Sequence, residues 1–217
     1  MELERRMGNG IQLGDMLVTR RFSPKMLKAL ATIAMRLHPG YDGFAETVKG
    51  KSKESCLFSS LVVRRFLVSV GFADATVQPC TVYLRSERAG QELWSVGIGM
   101  PDKRVVPGRF NGHAVVSVPS ERILIDTTLY QAIRPHWHGA LTGMMAVSLD
   151  TPTPMVTGLS RLAGFEVQAD DFAFAIAWGD RPDINWRREI DVFDPRSLNR
   201  QRRLAKVLQD SFGEWHE

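Results

Sequence analysis

Cysteine is scarce in this chain: Cys56 and Cys80 are the only two among 217 residues. Two cysteines form at most one bridge, which excludes a disulfide-stapled scaffold. A reducing compartment is therefore expected, and with it a free thiol at Cys56. Long apolar runs are missing as well; none approaches the roughly 20 residues that a membrane helix needs. The segment Met1-Glu2-Leu3-Glu4-Arg5-Arg6 mixes acid and base with no apolar stretch behind it, unlike a secretory leader. The expected location is the cytoplasm, with no membrane partner.

Charge of one sign is only in small excess, 28 Lys and Arg against 24 Asp and Glu, for a net charge of +4. The basic residues are dispersed, and the densest group is Arg196, Arg200, Arg202, Arg203 and Lys206. No recognised motif accompanies that charge, so nucleic acid is not an expected partner. The group reads either as a solvated helix face or as a contact for an acidic partner.

What is present is an ordinary globular composition, 44% hydrophobic and 24% charged, in a chain long enough to bury a core unaided. One domain is expected over residues 1–217, with its core over about 24–180 and a basic helix over about 195–213. Residues 1–22 read as an irregular lead-in arm. Ser23-Pro24 then offers an N-cap and a first-turn proline. Leu27, Leu30, Ile33, Ala34 and Leu37 follow at helical spacing until Pro39-Gly40, predicting a helix over about 24–37. From Cys56 the chain is apolar nearly all round as far as Gly71, with Arg64 and Arg65 its only charges. Such a helix is central in its domain, and Ser52 or Ser55 is positioned to cap it.

Strands follow. Ala75–Leu84 is rich in Thr and Val, and Pro79 within it predicts an edge position or a break. Leu93–Ile98 comes after a turn at Ser86–Gly90. His113–Val118 and Arg122–Ile125 form a hairpin. Ala146–Leu149 and Phe172–Trp178 are further strands, with a chain break at Thr151-Pro152-Thr153-Pro154. Strands in succession after a helix point to an α+β fold with an antiparallel sheet.

The order cysteine, histidine, aspartate carries the chemistry. A cysteine is a nucleophile only as thiolate, which a helix N-terminus and an adjacent imidazolium both favour. Cys56 starts a helix. His113 starts a strand, and Asp126 closes the next one, where it can hold the imidazole ring in its useful tautomer. The backbone amide of Cys56 is a ready oxyanion donor.

Three segments, Glu54-Ser55-Cys56-Leu57, Gly112-His113-Ala114-Val115-Val116 and Leu124-Ile125-Asp126-Thr127-Thr128-Leu129, resemble the blocks of the transglutaminase-like branch of the papain-like cysteine hydrolases. The match covers roughly residues 50–130. Asp126-Thr127-Thr128 is similar to the family's Asp-Pro-Thr, with threonine in place of proline. The resemblance implies a papain-like cysteine proteinase fold, with a central Cys-bearing helix packed on an antiparallel sheet. It also implies Cys56 as nucleophile, His113 as general base and acid, and Asp126 as the orienting group. No tryptophan or glycine precedes Cys56 as in many members, and no upstream oxyanion glutamine is identifiable; Ser52 and Lys53 are weak substitutes.

Duller readings compete. A buried cysteine is often inert, and it is the company of His113 and Asp126 that favours a catalytic site. Cys80 has no partner pattern and reads as structural. His136 and His138 share a strand face only if Pro135 and Gly139 permit a strand, and no Cys/His set of known spacing joins them, so no metal site is expected. Gly97-Ile98-Gly99 lacks the strand-to-helix context of a phosphate loop, and no cofactor is expected. Trp94, Trp137, Trp178, Trp186 and Trp215 are scattered, as core or cleft walls. The sequence therefore predicts cysteine-dependent acyl transfer or amide hydrolysis on a peptide or amide substrate. The alternative is a catalytically idle member of the same fold that serves as a binding module.

Overall fold

The strands His113–Val118 and Ile123–Asp126 are buried along their whole length, on both faces, and that two-sided burial decides the architecture. The computed structural model describes residues 10–44, 53, 55–101, 110, 112–132, 142–155, 158–169 and 172–214. Among these lie nine strands: β1 Ile11–Leu13, β2 Met16–Val18, β3 Thr76–Arg88, β4 Gln91–Ile98, β5 His113–Val118, β6 Ile123–Asp126, β7 Met144–Pro154, β8 Ser160–Ala169 and β9 Phe172–Asp180. The helices are α1 Pro24–Asp42, α2 Cys56–Ser69 and α3 Pro195–Glu214.

Six of the strands close on themselves. The order runs β7-β6-β5-β3-β9-β8, and β8 pairs back onto β7. Every pairing around this ring is antiparallel. Three strands lie off it: β4 folds back on β3, and the β1–β2 hairpin joins β7 through a parallel β2. Closure removes the unpaired edges that an open sheet would present.

The two faces of the barrel wall sort the apolar residues into two cores. Val115, Leu124, Met145, Val147, Val82, Leu84, Phe174, Ile176 and Trp178 fill the interior. Their alternate neighbours Val116, Val118, Ile123, Ile125, Met144 and Ala146 face outward and meet Met26, Leu30, Ile33, Val62, Phe66, Leu204 and Leu208 from the three helices. Successive Cβ atoms of a strand point to opposite faces, so one continuous apolar strand such as β5 serves both cores.

This corrects the fold expected from the sequence. A papain-like domain would centre on the cysteine-bearing helix packed against a sheet. Here the sheet closes into a barrel, and α2 lies outside it, against β5, β3 and α3. The expected burial of α2 does hold: Leu57, Phe58, Leu61, Val62, Val63, Phe66 and Leu67 are all buried, because neighbouring helices and the barrel wall cover it on several sides.

Other expectations need smaller corrections. α1 does not stop at Pro39-Gly40 but continues to Asp42. A Cβ at Gly40 would stand 2.8 Å from Leu204 Cδ1, so the missing side chain lets α3 approach. The lead-in arm contains β1 and β2, turning at Gly14 with φ +55°. β3 runs on to Arg88, and Ala89 and Gly90, both at positive φ, make a tight turn into β4. Pro79 does not break β3. It lies where β3 has only β5 beside it, since pairing with β9 begins at Cys80. β7 extends through Pro154 with a register shift between Leu149 and Thr153, where a break was expected. β8 had no counterpart in the sequence reading.

Candidate active site

Cys56 is the first residue of α2 and is 8% exposed. The position follows from the sequence: the run Leu57–Leu67 is long and has no turn signal inside it, so it is helical, and Cys56 is its leading edge. Ser55 holds the N-cap position, though its side chain makes no capping hydrogen bond. The first-turn amides of the helix are a favourable setting for negative charge. Contacts with Val77 and Ala114 place the start of α2 against the barrel wall. The Ser60 hydroxyl donates to the Ala114 carbonyl at 2.9 Å, tying the helix beside His113.

His113 opens β5 and Asp126 closes β6; both are completely buried. They share the strand parity of Val115 and Leu124, so they belong to the interior face at one end of the barrel. His113 Nε2 meets Asp126 Oδ2 at 2.8 Å. The Trp178 indole N–H donates to the same oxygen at 2.9 Å, and the Thr128 amide donates to Oδ1 at 3.0 Å. With Nε2 held by Asp126, Nδ1 is the ring nitrogen left to face Cys56. It forms no full hydrogen bond, yet the thiol stands near enough to the ring to raise its proton affinity. Burial alone would lower the pKa of His113. The Asp126 carboxylate, its hydrogen bond and the Cys56 thiol outweigh burial and lift the value from 6.5 to about 10.

The approach to His113 depends on a glycine. Gly99 sits at φ +65°, and a Cβ there would lie 2.8 Å from Gly112 Cα and 3.0 Å from the His113 nitrogen. Arg181, itself paired with Asp183 at 2.7 Å, donates to the Gly99 carbonyl at 2.5 Å and pins this close contact.

Cys56 opens onto a cavity of about 470 Å³. Tyr41, Phe58 and Phe110 supply aromatic wall, while Glu189, Asp191, Arg200 and Gln131 supply polar groups. Glu189 accepts from the Phe110 amide, which fixes one rim of the opening. The cavity thus has mixed aromatic and polar walls, with a thiol at a helix N-terminus on its lining and the His113 imidazole buried behind it. Comparison with known proteins returns no matching family model, no matching curated protein and no matching solved structure.

The structure brings Cys56, His113 and Asp126 together. Cys80 pairs with His113 across β3 and β5 and is fully buried. Burial first, then the Asp126 charge, Cys56 and Asp180, push its thiol far above the ordinary range. His136, His138 and Ser52 lie outside the described residues, and among the described residues no group of metal-ligating side chains forms. Lys53 places its ammonium 4.3 Å from the Tyr130 ring centre. Two residues at the site were missed as site residues: Trp178, which the sequence marks only as a core or cleft wall, and Gln131. The alternation Phe174, Ile176, Trp178 marks an inward face, but only the pairing of β9 with β3 shows that this tryptophan reaches a buried acid. Gln131 follows Asp126 closely, in the 3-10 turn Leu129–Gln131, and that proximity was the available signal.

Proposed function

We propose that the protein is a cysteine-dependent acyl-transfer enzyme or amide hydrolase whose nucleophile is Cys56. The observation that carries this reading is a helix-N-terminal thiol that lines a cavity, with a buried imidazole held by Asp126 behind it. The resemblance of the three segments to transglutaminase-like hydrolases points to the same chemistry, although the barrel is not the fold which that resemblance implied. Both cysteines are free thiols, which suits a cytoplasmic setting. No helix among the described residues is long and apolar enough to cross a membrane.

The thiolate of Cys56 attacks the carbonyl carbon of a peptide or amide, forming a C–S bond and moving an electron pair onto oxygen. The Cys56 amide, at the helix start, donates to that oxyanion. His113 passes its proton to the departing nitrogen, the C–N bond breaks, and a thioester remains on Cys56 with neutral His113. Water or an amine then attacks the thioester; His113 takes the proton of the incoming nucleophile and Cys56 leaves as thiolate. The exposed basic residues of α3 suit an acidic partner, while Arg200 belongs to the cavity wall.

The test is the rate of Cys56 alkylation by iodoacetamide against pH, read by mass spectrometry in the native protein and in His113→Ala. At pH 6 a free cysteine of pKa about 8.5 is only about 0.3% thiolate. Cys56 is expected to react much faster than such a thiol, to lose that advantage without His113, and to leave Cys80 unmodified as an internal control. Alkylation at the free-thiol rate regardless of His113, or no alkylation at any pH, overturns the enzyme reading and favours a binding module.

A further inference from the structure

Trp178 has no part in the acyl-transfer steps, yet its polar atom is directed at the group that orients His113. Its ring is fully buried on the barrel interior, with Val82 of β3 opposite on one side and Ala163 of β8 on the other. The indole N–H donates to Asp126 Oδ2 at 2.9 Å, and His113 Nε2 meets the same oxygen at 2.8 Å.

A buried imidazole and carboxyl that share one proton have two arrangements. Either the proton stays on the ring, giving imidazolium and carboxylate, or it crosses to oxygen and leaves two neutral groups. Loss of hydration favours the neutral pair. Donors aimed at the carboxylate favour the charged pair. An indole N–H is a donor only and cannot accept. Facing Oδ2 it can therefore stabilise the anion, and it opposes a proton placed on that oxygen. The Thr128 amide does the same for Oδ1 at 3.0 Å. Other titratable groups surround the pair. Cys56 approaches from α2, Cys80 pairs with His113 from β3, and Asp180 ends β9, taking a hydrogen bond from Gln78 at 3.0 Å. His38 on α1 binds the Thr127 carbonyl at 2.9 Å rather than the carboxylate.

We infer that Trp178 is a positioning residue that keeps the shared proton on His113 by holding Asp126 as an anion, so that the Cys56 thiolate retains its counter-ion. This rests on the acyl-transfer reading given above. The conservative variant Trp178→Phe keeps an aromatic ring in the barrel and removes only the N–H and part of the ring volume.

Iodoacetamide alkylation of Cys56 from pH 5 to pH 10 reads the effect. A hydrogen bond to a charged group sets the scale, so the rate at pH 6 is expected to fall by about tenfold or more in Trp178→Phe. At pH 10, where the thiolate forms without a counter-ion, the rate is expected to match the native protein. A purely structural role would change both ends of the profile or neither. Should the variant not fold, nitrogen-15 NMR of the unaltered protein decides: both ring nitrogens of His113 carry protons at pH 7, and the Trp178 indole proton shifts in the same step in which the ring deprotonates. An unchanged acid limb in a folded Trp178→Phe, or a neutral His113 ring at pH 7, overturns the inference. If His113→Ala keeps the native alkylation profile, the triad and this inference fall together. If His113→Ala loses the acid limb while Trp178→Phe keeps it, only the role of Trp178 is refuted.

Discussion

Replacing Asp126 by asparagine isolates the charge that holds His113, because the two side chains have nearly the same shape. The carboxylate accepts N–H groups on both oxygens, from His113 and Trp178 at Oδ2 and from Thr128 at Oδ1. An amide cannot do that in either orientation. Its least costly placement turns the NH₂ toward Thr128, which leaves two buried donors facing each other. That costs about 1–3 kcal/mol at every pH. The second part of the cost depends on pH. The folded pKa of His113 is raised from 6.5 to about 10, and each pH unit of that interval is worth about 1.4 kcal/mol. The linked stability is therefore up to about 5 kcal/mol. Because the folded value is raised, this stability is complete below pH 6.5 and is lost as pH climbs to about 10. In Asp126→Asn the Cys56 thiol alone is left to oppose burial, so most of the lift in the ring's proton affinity goes and that slope shrinks. Urea unfolding of both proteins at pH 6, 8 and 10 should show a wide gap at pH 6 that narrows to the hydrogen-bond part near pH 10. A gap that is constant with pH, or that widens as pH rises, would refute the charged pair.

Two further outcomes follow from groups around the pair. His38 is buried, its pKa is held below 6.5 chiefly by burial, and its Nε2–H donates to the Thr127 carbonyl at 2.9 Å. His38→Phe strands that carbonyl at a cost of about 1–3 kcal/mol near neutral pH. It also removes the acid sensitivity that arises when the unfolded chain takes up a proton the folded ring refuses, so below pH 6.5 the thermal stability of the variant should fall less steeply than the native protein's; equal acid slopes would count against a neutral His38. Gly99→Ala combines a positive φ with a Cβ 2.8 Å from Gly112 Cα. It should cost about 1–3 kcal/mol and slow the alkylation of Cys56 at pH 6 by displacing His113, whereas an unchanged melting temperature would show that the contact is soft.

Local signals in the sequence carried a good deal of this structure. The apolar run after Cys56 is a helix, and His113–Val118 with Ile123–Asp126 is a hairpin turning through Arg122 at positive φ. The order of cysteine, histidine and aspartate marked three side chains that lie together. What stayed hidden is what depends on distant pairing. A continuous apolar strand such as His113–Val118 packs equally well in an open sheet between layers or in a barrel wall with a core on each side, and its residues do not distinguish the two. Closure depends on β8, whose Gly164, Glu166 and Gln168 mask its strand character. Pro39 and Gly40 signalled a stop, but the approach of Leu204 to Gly40 rewards continuing the helix. Trp178 was legible as a core residue only, since its partner Asp126 lies 52 positions earlier.

Strand order also sets a chronology. A growing chain presents Cys56, His113 and Asp126 well before it presents β8 and β9. Until those strands emerge, the long β3 has nothing along the side that β9 will occupy, the ring is open, and Asp126 has no indole to meet. Contacts between segments so far apart form only after the intervening chain has been threaded into place. Cys56, His113 and Asp126 are thus made early, and the indole that meets Asp126 late. If Cys56 acts as proposed above, its site is completed by the closing of the barrel rather than by the appearance of the residue that bears the thiol.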